Sequence, residues 1–419
     1  MSESIRIAIL GGGLAGASLL HALLDYPHLD VHIFESAAEF GEVGARIRVG
    51  RNGLAALKLI GDSAAQCLER AGAKPQMDAC FMLAQDEEGQ DNVIDEARAE
   101  DGQPLASIVY RSEFLRELLA KAKTERMHAF KKLDYVEGGE SGPLTLHFKD
   151  KSTHECDILI GADGIHSTVR KIVLGPDDPA ANPRYAGWWT VMTYIDGGSI
   201  IGEGPVDIED SREYIWVGND TYLLHSVLGR SRLVQAIIYE EECQGSDGLY
   251  GMVCVEDIEF FYRGWPPHLN KAVNELLCYR PQQPAKNFWD QPPTRTYVSG
   301  RICVVGDAAH ATTPWQGAGC DMSIEDTLVL STLLGRSKNT AQAVVALRVY
   351  DQVRRPRTQR IVESSRETGM ILTGRGGETG LDLAKLKEKL LPRWAFIVDF
   401  DNAKALDEAV QLMDEELAG

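Results

Sequence analysis

Residues 302–326 read ICVVGDAAHATTPWQGAGCDMSIED, and the reading of this stretch decides the fold. Ile302, Val304 and Val305 make a short apolar, β-branched run that stops at Gly306-Asp307. Small residues and Pro314 follow, and Gly317, Ala318 and Gly319 then lead into a helical pattern at Met322, Ile324 and Leu328. The sequence predicts strand, carboxylate, glycine loop, helix. An acid at the carboxyl end of a strand accepts hydrogen bonds from a sugar-like hydroxyl chain. Glycines without side chains let backbone N–H groups and a helix N-terminus close on an electron-rich ring. Those features suit a flavin, with ribityl hydroxyls on Asp307 and the isoalloxazine against Pro314 and the 316–320 loop. An ordinary βα turn shares the pattern, so the rest of the chain has to discriminate.

The N-terminus supplies a second piece. A strand pattern over 5–10 meets Gly11-Gly12-Gly13-Leu14-Ala15-Gly16, a helical pattern runs through Leu19, Leu20, Leu23 and Leu24, and a strand over 31–34 ends at Glu35. Gly11, Gly13 and Gly16 fit G-x-G-x-x-G, which gives a tight turn, close approach of backbone to a pyrophosphate, and close packing of helix on strand. Glu35 lies 19 residues beyond Gly16, where a carboxylate binds ribose hydroxyls and disfavours a 2′-phosphate. The adenosine expected here is that of FAD or NAD rather than NADP.

Further pieces lie between these two. The 40–50 loop carries Arg46 and Arg48 on alternate positions, within reach of pyrophosphate oxygens or a ring carbonyl, or equally a solvated surface pair. A helix is expected after Arg111, with Ser112 able to cap it and Arg111 placed to reach a ligand. An apolar strand over 156–160 delivers Gly161-Ala162-Asp163-Gly164, with Ser167 and Arg170 opening another helix; on physical grounds alone Asp163 caps backbone amides.

From about 180 to 295 tryptophan and tyrosine become frequent, and alternating runs such as 231–239 predict an antiparallel sheet. Most of those rings are expected in the core, although an aromatic-faced sheet also suits a flat apolar ligand. Pro292-Pro293 marks a return to the first domain, and helical patterns fill 341–419, where Arg354-Arg355-Pro356-Arg357 reads as a helix end rather than a phosphate site. The expected architecture is α/β: a Rossmann-like FAD-binding domain with an inserted antiparallel-sheet substrate domain and C-terminal helices. The expected boundaries are 1–75, 105–178 and 293–365 for the first domain, 76–104 and 179–292 for the second, and 366–419 for the helical segment.

Composition narrows the function classes. A net charge of −19 without a basic run argues against nucleic acid. The eight cysteines form no CxxC pair or metal-like cluster, so reduced, buried thiols and no metal are expected. With no charged-then-apolar leader and no apolar run approaching membrane length, a cytoplasmic enzyme is expected, monomeric or homodimeric.

Three motifs together, GGGLAG with Glu35, GADGIHSTVR, and GDAAHATTPWQGAG followed by Glu325-Asp326, resemble the FAD-dependent aromatic hydroxylases built like p-hydroxybenzoate hydroxylase, in their salicylate-hydroxylase-like branch. The resemblance spans roughly residues 5–365. It implies that Gly11, Gly13, Gly16 and Glu35 hold the ADP half of FAD, that Arg111 contacts the flavin side, that Asp307 binds the ribityl chain, and that the Gly317–Gly319 loop lies at the pyrimidine edge. Asp163 would serve both FAD and the transient visit of NADH or NADPH. The implied chemistry is flavin reduction, reaction with O₂ to a C4a-hydroperoxide, and oxygen transfer to a phenolic or aromatic-acid ring, salicylate-like rings among them.

Departures from the family pattern bear on substrate. No arginine stands in Gly187-Trp188-Trp189-Thr190-Val191-Met192, where many relatives place one for an acidic or phenolate substrate. His225 and Tyr214 are the candidates for meeting a substrate hydroxyl, Pro314 and Trp315 for bounding the pocket, and His310 for supporting the Asp307 loop. A larger aromatic or indole-type substrate of secondary metabolism is the alternative within the class, and a catalytically silent FAD-binding module the alternative outside it. The W-x-W-x-I-P signature of flavin-dependent halogenases is absent.

Overall fold

Near-continuous apolar runs become parallel strands buried on both faces. The first sheet has the order Val298–Ser299, Ile302–Val304, Ile158–Gly161, Ile5–Leu10, Leu29–Phe34, Met127–His128, parallel throughout except at its Val298–Ser299 edge. The computed structural model describes residues 4–41, 46–84, 92–99, 102–138, 142–196, 212–228, 231–241, 248 and 250–419. Helices Leu14–Leu23 and Gly319–Arg336 lie together on this sheet, and Thr340–Leu372 packs beside the second of them. Because the strands run parallel, Gly11, Glu35, Asp163 and Asp307 all follow strand carboxyl ends in adjacent positions, which is where α/β sheets bind ligands.

A second sheet of eight strands has the order Tyr250–Cys254, Gln282–Asp290, Arg184–Asp196, Ser231–Tyr239, Thr221–Leu228, Glu213–Val217, Asp78–Leu83, Asn92–Arg98. Its pairs are antiparallel except Asp78–Leu83 beside Glu213–Val217, which run parallel. Period-two alternation gives it two buried faces. One carries Tyr214, Trp216, Leu223 and Val234 against helices Val255–Tyr262 and Pro267–Leu276. The other carries Ile215, Val217, Tyr222 and Trp188 against Trp315 and the C-terminal helical segment. A small sheet of Arg46–Gly50, Ala106–Tyr110 and Lys74–Gln76 meets helix Gly319–Arg336 through its Arg46–Gly50 strand.

Two local expectations are corrected. Helix Arg111–Leu119 starts after Tyr110 with no side-chain cap, so Ser112 lies within its first turn rather than capping it. Arg354-Arg355-Pro356-Arg357 is no helix end: it sits mid-way along Thr340–Leu372, with Arg354 and Arg357 turned onto buried acids. Local charge density reads as a helix terminus because buried ion pairs depend on a partner distant in sequence.

Candidate active site: a cleft across the strand ends

A cleft of about 620 Å³ runs along the carboxyl edge of the first sheet. Gly11, Gly13, Glu35, Arg48, Arg111, Asp163, Asp307, Pro314, Gly317 and Gly319 line it, so most of the expected site residues converge on one space. Gly11 has φ +107°, and a Cβ there would stand 2.1 Å from the Ala162 carbonyl oxygen; one on Gly16 would stand 2.0 Å from that of Gly11. Only glycine permits both contacts, which let helix Leu14–Leu23 point its N-terminus into the cleft. Glu35 Oε2 accepts from the Gly12 amide at 2.7 Å, and Oε1 from the Ala37 amide at 2.7 Å and the Ser36 hydroxyl at 3.0 Å. This fixes the carboxylate beside the turn.

Asp163 accepts from the Ser167 hydroxyl and from the Thr168 and Val169 amides, the latter two at 2.7 and 3.2 Å. It thus caps helix Thr168–Leu174 while lining the cleft; burial pushes its carboxyl up against those opposing hydrogen bonds. Within that helix Arg170 is wholly buried and donates to the carbonyls of Ala180, Ala308, Ala309 and Pro292. Burial lowers its pKa to about 10, and its bonds tie the Asp163 turn to the short helix Asp307–His310.

Asp307 is exposed to the cleft. The residues behind it are buried and charged. Asp326 accepts from the Gly306 amide at 3.0 Å, from His310 Nε2 at 2.5 Å and from Arg354 Nε at 2.9 Å. Burial alone would push Asp326 up, but His310 and Arg354 outweigh it and hold it down at about 2. Glu325 pairs with Arg354 and Arg357 at 2.9 and 2.8 Å and accepts from Asn52 at 2.8 Å. His310 therefore supports the loop through Asp326.

Gly317 takes φ +64°, and a Cβ there would come within 3.3 Å of Arg48 Cδ. The cradle left by these glycines, followed by the N-terminus of the 18-residue helix Gly319–Arg336, fits the polar edge of a flavin. Ala318 is buried behind it.

Several expected residues lie elsewhere. Arg46 is not among the cleft-lining residues; it donates to the Tyr110 hydroxyl at 2.6 Å and stacks over that ring. Tyr214 and His225 stack on each other at 5.0 Å, beside Trp216, on the sheet face that packs against helices Val255–Tyr262 and Pro267–Leu276. Neither is among the cleft-lining residues, so the structure does not bring them together with Asp307 and Pro314. Alternation along a strand fixes which residues share a face, but not which face meets the ligand. Trp315 is core: it meets Trp188 and Tyr222 edge-on, each at 5.3 Å, and Gly369 leaves it room.

The sequence reading missed Lys131, Lys132 and His166, which also line the cleft. The lysines arrive because Met127–His128 pairs with Leu29–Phe34, and no local pattern announces that pairing. Among the described residues, no His, Cys, Asp or Glu cluster suits a metal ion, and no helix is long and apolar enough to cross a membrane.

Comparison with known proteins agrees with this geometry. A family model described as an FAD binding domain matches residues 282–365. The 6-methylsalicylate 1-monooxygenase of Aspergillus terreus is 32% identical over 87% of this chain and 82% of its own length. Salicylate hydroxylase of Pseudomonas putida is 29% identical, covering 96% of this chain and 94% of that protein. A solved salicylate hydroxylase substrate complex superposes with a TM-score of 0.82 at 23% identity, covering 98% of each chain, which shows a shared fold. The chain belongs to the FAD-dependent monooxygenases, with FAD as its cofactor. Within them it is an aromatic hydroxylase of the salicylate-hydroxylase-like branch.

Proposed function

We propose that FAD lies along the cleft with its adenosine ribose on Glu35, its pyrophosphate over the Gly11–Gly16 turn, its ribityl chain on Asp307, and its ring between Pro314 and the Gly317–Gly319 loop. The single observation that carries this placement is the convergence of four strand-end signals on one cleft. Bound there, FAD supplies reduction by NADH or NADPH and activation of O₂; the nicotinamide visits transiently near Asp163. The chain's residues orient the ring, keep water out, and place the N-terminus of helix Gly319–Arg336 where negative charge develops. In this reading segments 1–75, 105–178 and 293–365 hold the cofactor, while 76–104 and 179–292 wall the chamber for a small phenolic or aromatic-acid substrate.

The test is a panel of phenols and aromatic acids scored by stimulated NAD(P)H consumption and by product mass. One added oxygen atom in the product is the expected result. Consumption without an oxygenated product for any ring would overturn the reading. Asp307→Ala is expected to purify largely colourless, and full flavin occupancy would remove the role given to that carboxylate.

A further inference from the structure

The identity of the ring is addressed by the sheet face that looks toward the ring-binding loop, an inference that rests on the function proposed above. On that face Glu213, Ile215 and Val217 stand directly across the ladder from Ser226, Leu224 and Tyr222. Tyr222 meets Trp315, the neighbour of Pro314, edge-on at 5.3 Å. The face is otherwise apolar along these two strands, apart from the Tyr222 and Ser226 hydroxyls, and Glu213 is its one carboxylate.

Glu213 is tied to the flavin loop by a short chain of contacts. Its Oε1 accepts from Gln76 Nε2 at 3.1 Å, and Gln76 Oε1 accepts from Arg48 Nε at 3.4 Å. Arg48 in turn borders both the cleft and Gly317. Burial pushes the Glu213 carboxyl up, opposed by Arg48 and Gln76, yet the side chain keeps part of its surface accessible. The carboxylate is therefore partly accessible at the end of a contact chain that leads through Gln76 to the cleft-lining Arg48.

Its hydrogen-bonding capacity is also unfilled. A carboxylate offers about four acceptor sites. Gln76 fills one, and the Ser226 hydroxyl, although directly across the ladder, is buried without a partner and does not bond to Glu213. What the carboxylate lacks is a donor. A ring carboxylate would bring two more acceptors and a like charge, whereas a ring hydroxyl brings the missing donor.

We propose that Glu213 is the specificity-determining residue of the ring chamber, accepting a hydrogen bond from a substrate hydroxyl and thereby favouring neutral phenols over the matching aromatic carboxylates. Arg48 donates to Gln76 at 3.4 Å and to the Leu105 carbonyl at 3.3 Å, and its positive charge partly balances that of Glu213.

The experiment titrates the FAD-loaded enzyme with catechol and with salicylate, reading affinity from the change in flavin absorbance, alongside NAD(P)H consumption. The wild type is expected to bind catechol at least about tenfold more tightly than salicylate. Glu213→Gln is expected to narrow that ratio about tenfold, the effect of one charge-assisted hydrogen bond, with flavin content unchanged. Salicylate binding as tightly as catechol in the wild type, or a ratio that Glu213→Gln leaves unmoved, overturns the proposal. If Glu213→Gln loses its flavin, the wild-type ratio decides alone. A failure of the parent reading looks different: no ring would then perturb the flavin or speed NAD(P)H consumption, and this proposal would fall with it.

Discussion

On one side of the cleft, the Gly11–Gly16 turn is positioned by the absence of side chains, with carbonyl oxygens occupying the space where Cβ atoms would go. On the other, the loop from Asp307 to Gly319 is positioned from behind by charge: Glu325 and Asp326 are wholly buried and held by Arg354, Arg357 and His310. The first wall depends on neighbours a few residues away and on one close approach to Ala162. The second depends on a helix that begins at Thr340 and reaches back across the first sheet. Steric positioning needs few groups and tolerates little change. Charged positioning tolerates changes in shape, but each buried ion becomes costly once its partner is removed.

The largest expected effect follows from that difference. Arg354→Met removes the cation shared by Glu325 and Asp326 and leaves buried carboxylates short of a partner, so a loss of about 3–5 kcal/mol in denaturant unfolding is expected. A loss below about 1 kcal/mol would show that His310 and Arg357 suffice. Gly11→Ala attacks the other wall, where the φ of +107° and the 2.1 Å approach both exclude a side chain. About 3 kcal/mol and weakened FAD retention are expected, measured by denaturant unfolding and flavin content. Wild-type flavin content would mean the turn relaxes more readily than its contacts indicate.

The smallest effect concerns pH. Asp321 opens helix Gly319–Arg336, accepts from the Gly50 amide at 2.9 Å, and has no partner for Oδ2. Burial pushes it up to about 7, only partly opposed by Arg48 and that amide. A raised folded pKa gives stability that is full below the ordinary carboxylate value of about 4 and is lost as pH rises through about 7. Asp326 has the opposite sign: its contribution is present above about 4 and is lost as pH falls toward about 2. Asp321→Asn is therefore expected to flatten the decline in stability between pH 5 and pH 8, by an amount on the order of 1 kcal/mol, in melts across that range. A decline of unchanged slope would place its origin elsewhere.

Much of the cleft along the strand ends was legible in the sequence because its signals are local. A glycine that must take positive φ, or an acid that ends a parallel strand, is specified within a few residues of itself, and Gly11, Glu35, Asp163 and Asp307 each announced themselves in that way. The substrate side was not legible. Tyr214 and His225 lie on the sheet face that packs against helices Val255–Tyr262 and Pro267–Leu276, and Glu213, one residue away, lies on the other face. Arg46 and Arg48 differ by two positions in one strand, yet Arg46 is taken up by Tyr110 while Arg48 reaches the cleft.

By itself, the sequence determined that successive strands deliver glycines and carboxylates at their carboxyl ends, because backbone conformation and apolar periodicity are properties of short segments. Only the tertiary structure decided which sheet face packs on Trp315, that Arg354 and Arg357 lie behind the loop from Asp307 to Gly319, and that Lys131 and Lys132 join the cleft. Those outcomes depend on pairings between segments far apart in the chain, and the desolvation that makes such pairings matter exists only once the segments have closed on one another.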